Sequence, residues 1–89
     1  MARNEKYKNM TKSEQILSSE DITILMNTTP QYIASEMAII TRLGLGFSIF
    51  QVSRMYKVKV VKVEDLLDRF LNDASIDISI RSKMKAVRR

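Results

Sequence analysis

Glu64, Asp65 and Asp68 are the nearest thing in this chain to a chemical site. Carboxylates this close could in principle hold magnesium. On a helix, with basic residues alongside, the same spacing is also that of surface ion pairs. Nothing else in the sequence supports catalysis. There is no histidine, which removes the commonest general base and the commonest metal ligand together. There is no cysteine, so neither a disulfide framework nor a thiolate metal site can form. Gly44-Leu45-Gly46 is an isolated glycine pair, without the following Lys-Ser/Thr of a phosphate-cradling loop. These residue types predict no catalytic residue, no metal and no cofactor, and so a chain that is not an enzyme.

The basic residues offer a different chemistry, the binding of a polyanion. The net charge is +5, and its placement says more than its size. Arg3, Lys6, Lys8 and Lys12 stand against Glu5 at the start. Arg81, Lys83, Lys85, Arg88 and Arg89 close the chain with no acid among them. The stretch between is mildly acidic. Basic ends around such a body suit nucleic acid, and they also suit simple solubility. Lys83, Lys85, Arg88 and Arg89 are the expected tail contacts, adding salt-sensitive affinity.

The elements that must position these groups are mainly helical. A chain of 89 residues supports one domain with a modest core. A serine cap at 18 or 19, followed by Glu20 and Asp21, opens a first helix with Ile22, Leu25 and Met26 at helical spacing. Asn27-Thr28-Thr29-Pro30 stops it and starts a second helix from about 30 to 43, with Ile33, Met37 and Ile40 inward and Gly44 as its stop. Ser48 caps a third helix over 48–56, and a fourth is predicted over 60–72 with Val63, Leu66, Leu67 and Phe70 on one face. Two stretches read instead as strand. Residues 56–61 alternate and are valine-rich, and Ile76, Ile78 and Ile80 alternate with polar residues. The expected fold class is therefore mainly α, a bundle of about four helices with room for a short β element, either a wing or a C-terminal strand. Residues 1–16 read as a flexible basic arm, 17–80 as the domain, and 81–89 as a disordered basic tail.

The strongest motif runs from Ser48 to Leu66. Two helices crossing over a short turn need apolar residues at set positions and a small residue where they touch. Val52 and Tyr56 fill the first helix, Ser53 is the small residue, Val58 plugs the turn, and Val63 and Leu66 face inward on the second. Over about 20 residues this resembles the helix-turn-helix of resolvases, transposases and small repressors. Lys57 departs from the glycine that is usual there, and Glu64 and Asp65 would lie near phosphates. The resemblance implies double-stranded DNA as the partner. It makes Lys59, Val60 and Lys62 the exposed start of a recognition helix, with Gln51, Arg54 and Lys57 at phosphates or the groove edge.

A second segment, Glu20 to Ile33, has a similar plan. Ile22, Thr23, Met26 and Ile33 take the inward slots, although Glu36 stands where an apolar residue is wanted. It resembles lambda-repressor-like domains, and the resemblance makes Thr29, Gln31, Tyr32 and Ser35 the alternative readers. A variant turns residues 47–63 into a two-stranded wing before a helix over 64–71, similar to excisionases.

The expectation is a small, cytoplasmic transcriptional regulator or recombination accessory factor. A homodimer is expected, since one such domain reads few base pairs. The chain looks complete, and its size and Lys/Ile/Met content look like a phage, plasmid or low-GC bacterial protein. No apolar run approaches the roughly 18–20 residues of a membrane span, so no membrane partner is expected. Two other readings stay open: a protein-binding adaptor or inhibitor without DNA binding, and a viral packaging or assembly component.

Overall fold

A computed structural model of the protein describes residues 14–88, the side chain of Arg88 excepted. Among the described residues five α-helices follow one another: α1 (Ser19–Thr28), α2 (Ala34–Gly44), α3 (Ile49–Tyr56), α4 (Val60–Leu71) and α5 (Ile78–Met84). A 3₁₀ turn over Lys85–Arg88 closes the described chain. No strand occurs among the described residues. The basic arm expected over 1–16 lies outside them as far as residue 13.

Local chemistry explains most of the boundaries. Ser18 and Asp21 cap α1 reciprocally, each side chain accepting from the other's backbone N–H. Ser48 and Gln51 do the same for α3. The second helix starts later than the sequence predicts. Pro30 is not its first residue; Thr29 to Tyr32 form a turn closed by the Tyr32 N–H on the Thr29 carbonyl, at 3.2 Å. Ile33 is the extended N-cap, and the Glu36 carboxylate accepts its N–H at 3.1 Å. Glu36 therefore serves the helix start, where the motif pattern asked for an apolar side chain.

Both strand expectations fail for a common reason: short alternation and helical spacing coincide at i and i+4. Tyr56, Val58 and Val60 are the last residue of α3, the plug of the turn and the first residue of α4. There is no wing. Likewise Ile76 and Ile80 are each 2% exposed, and Met84 is fully buried on the same stripe, while Ile78 points away at 71% exposure. Asp77 caps this helix, its carboxylate accepting the N–H groups of Ser79 at 2.8 Å and Ile80 at 3.2 Å. A lone strand would have left its backbone unpaired; a capped helix does not. The disordered tail expected from residue 81 is corrected with it, because the chain remains helical to Arg88.

The core gathers Leu25, Ile40, Leu43, Val52, Val63, Leu67, Phe70, Ile80 and Met84. Helix α2 packs on both α3 and α4, α4 packs on α5, and α1 lies against α2. Leu17, ahead of α1, is fully buried beside Gly44. The Gly44 carbonyl accepts both the Ile16 and Leu17 N–H groups at 2.9 Å. A Cβ at Gly44 would stand 2.7 Å from Leu17 Cδ1, so any other residue there would require the Leu17 side chain to shift. Gly46, at φ 107°, then turns the chain toward α3.

Candidate nucleic-acid interface

Helices α3 and α4 meet across three residues, Lys57, Val58 and Lys59. Lys57 takes the left-handed conformation at φ 54° and ψ 44°, and it is the one non-glycine residue with positive φ among the described residues. Holding a lysine there costs about 1 kcal/mol relative to glycine. The turn is tied from behind. The Val58 N–H donates to the Ser53 carbonyl at 3.0 Å, and the Ser53 hydroxyl donates back to the Val58 carbonyl. Ser53 is buried at the crossing, where a larger side chain would push the helices apart. Val52, Val63, Leu66 and Leu67 are buried around it, and Tyr56 and Val58 pack against the same core. Of the packing roles read from the later segment, Val52, Ser53, Val63 and Leu66 are buried as expected, while Tyr56 is half-buried.

Most of the proposed contact residues of this segment are accessible. Arg54, Lys57, Lys59 and Lys62 are exposed. Gln51 is half-buried, with its Oε1 committed to the Ser48 N–H at 2.8 Å, so it is less free to reach outward. Val60 is half-buried, while Val61 is 53% exposed. Of the pair, Val61 is the more accessible, and Val60 is the one expected at the exposed start. The register contained the signal: with Val63 inward, residue 61 lies some 200° around the helix and must face out. Phe50, on the first turn of α3, is also exposed, at 69%. Farther along α4, Asp65 and Asp68 are exposed and Glu64 is half-buried, so the basic start of the helix gives way to an acidic middle. No group of three or more potential metal-ligating side chains occurs among the described residues.

The earlier segment is built differently. Thr29 is 3% exposed; its hydroxyl donates to the Leu25 carbonyl at 2.7 Å and lies 3.3 Å from Met37 Sδ. Tyr32 is 6% exposed and meets Phe70 edge-on, with ring centroids 6.2 Å apart. Its hydroxyl donates to Asp73 at 3.0 Å, and the Arg69 guanidinium lies 4.8 Å above its ring. Burial, followed by the Asp73 contact, pushes the Tyr32 phenol above its ordinary value. Gln31 is exposed but donates to Asp73 at 3.2 Å and to Ser75 at 2.9 Å. Ser35 alone of the four alternative readers lies exposed on a helix. Thr29, Gln31 and Tyr32 sit in a loop, and two of them are core.

Asp73 is the hub of this polar clasp. It accepts from the Ser75 hydroxyl and N–H, from Gln31 and from Tyr32, and these bonds hold its carboxyl far below the usual range. Arg69 completes the clasp with an ion pair to Glu36 at 2.8 Å, which lowers the Glu36 carboxyl as well.

The tail contacts divide. Lys83 is paired with Asp21 at 2.7 Å, joining α5 to α1, and is not a free cation. Lys85 is exposed. The Arg88 side chain and all of Arg89 lie outside the described residues.

A comparison with known protein families, with curated proteins and with solved structures gave no match.

Proposed function

We propose that this chain binds double-stranded DNA through the α3–turn–α4 unit, used as a helix-turn-helix. The observation that carries the reading is the turn: a left-handed Lys57 closed by the Ser53 hydroxyl on the Val58 carbonyl. This tight crossing makes the start of α4 project with Lys59, Val61 and Lys62 accessible. Lysines there suit phosphates and guanine edges, and an exposed valine suits a thymine methyl in the major groove. Arg54 and Lys57 extend the basic surface to the flanking backbone. The acidic middle of α4 limits how deeply the helix lies in the groove, and Asp65 suits a cytosine amino group. A homodimer on a two-fold site would supply the length of sequence that one copy does not read.

Selection from random duplexes, followed by titration at several salt concentrations, tests the reading. An enriched site and a salt-dependent affinity are expected. Replacing Lys59 and Lys62 with alanine should flatten the logarithmic salt dependence by about 0.9 for each phosphate that the variant no longer neutralises. No enrichment and no salt-sensitive shift would rule the function out.

A second reading, a protein-binding adaptor, is favoured by one feature, the exposed Asp65 and Asp68 on the outer face of α4. Capture of one stoichiometric protein that survives nuclease and high salt would support it over the first.

A further inference from the structure

Against the end of α3 lies a groove of about 550 Å³, lined by Met26, Tyr32, Met37, Thr41, Arg42 and Tyr56 among others. Small-molecule sites are mostly apolar clefts of roughly 300–1,000 Å³ with a few fixed polar groups. We propose that this groove binds a small carboxylate with an apolar body, the carboxylate on Arg42 and the body against Met26, Met37 and Tyr32.

Arg42 is the first reason. Arg69 and Lys83 each have a carboxylate partner, whereas Arg42 is exposed and has none among the described residues. It is nevertheless held in place. Its Nε donates to the Tyr56 hydroxyl at 3.3 Å, and its guanidinium lies 5.7 Å from the centre of the Phe47 ring. The two terminal nitrogens remain as a fork of the shape a carboxylate accepts. The groove itself is the second reason. No acidic side chain lines it, so an anion entering it meets no like charge. Thr41 lines it too, and its hydroxyl is buried without a hydrogen-bond partner among the described residues. Tyr56 is the last residue before the Lys57 turn, which places the ligand against the element proposed to meet DNA. The inference does not depend on DNA binding, because it rests on the groove alone.

The test is an amide-shift titration of the whole chain with 4-phenylbutyrate and, separately, with 4-phenylbutanol at matched ionic strength. Saturable shifts centred on Thr41, Arg42 and Tyr56 are expected. The acid should bind about tenfold more tightly than the alcohol, the scale of one charge-assisted contact. R42Q should bring the acid down to the level of the alcohol, and R42K, which keeps the charge but loses the fork, should retain part of the preference. Equal binding of acid and alcohol, shifts scattered over the surface, or no saturation by about 1 mM would overturn the proposal. So would a groove already filled without ligand, seen as contacts at Met26 and Thr41 from a second copy or from residues 1–13.

Discussion

The two segments that share one sequence plan make opposite use of it. In residues 20–36 the polar side chains turn inward or sideways, and Thr29, Gln31 and Tyr32 bind the protein's own Leu25, Asp73 and Ser75. In residues 48–66 Ser48 and Gln51 cap α3 and Ser53 closes the turn, while Lys57 and Lys59 of the turn face out. Similar spacing of apolar residues therefore gave one clasp and one projecting corner. What separates them is the connection. Pro30 and an extended Ile33 hold the first helix pair apart by five residues, whereas a left-handed Lys57 joins the second pair in three.

That contrast is easiest to break at Tyr32. Tyr32→Ala removes a buried ring that meets Phe70 and a hydroxyl that holds Asp73, and it should cost about 3–5 kcal/mol in urea unfolding, as large-to-small core changes do. A surface reader would change stability by no more than about 0.5 kcal/mol, and such a result would restore the earlier segment as a candidate. Ser53→Leu attacks the other side. It overfills the crossing of α3 and α4 and removes the bond to Val58, for an expected loss of about 1–3 kcal/mol.

Lys57→Gly should act in the opposite direction. Relief of the left-handed strain predicts a gain of about 1 kcal/mol, read as a higher melting temperature. The same change should weaken DNA binding if Lys57 meets phosphate, so gain and loss would appear together in one variant. A melting temperature that falls would show that Lys57 makes contacts worth more than the strain it carries.

The smallest expected effect is an acid-side slope. Asp73 and Glu36 are both held below their ordinary values in the folded chain, Asp73 chiefly by Ser75 and Glu36 chiefly by Arg69. Groups lowered on folding add stability that is complete above their unfolded values, near pH 4, and is lost as the pH falls below that. Thermal melts between about pH 6 and pH 3 should therefore decline toward acid, and Asp73→Asn should show a shallower decline over that range. Equal slopes in both proteins would mean that the clasp contributes little.

The helices themselves were largely legible in the sequence. Serine caps at α1 and α3, acids in the first turn of α1, and the stripe of Val63, Leu66, Leu67 and Phe70 fix α1, α3 and α4 within a residue or two. The packing of the α3–α4 corner was legible too, because each slot asks for a definite size. What the sequence hid was the role of groups that serve two purposes. Ile76, Ile78 and Ile80 fit a strand and a helix equally, until Met84 extends the stripe and Asp77 supplies a cap. Thr29 and Tyr32 look like surface hydrogen-bonding residues by type. Thr29 turns instead to Leu25 and Met37, and Tyr32 meets Phe70 and Asp73 some forty residues away, a distance that no local pattern reports. Lys83 looked like one cation in a basic run until α5 brought it to Asp21.

Gly44 carries a consequence of another kind. Its missing side chain is matched to a leucine 27 positions earlier, fully buried, whose end lies where a Cβ would stand. Neither position can change alone without a clash or a void. Over evolutionary time the two are linked in inheritance: a side chain gained at 44 would have to be met at 17 by a shifted or a smaller one. Among descendants of this chain, an alanine at 44 would mark a lineage in which the residue at 17 had been re-seated against the end of α2.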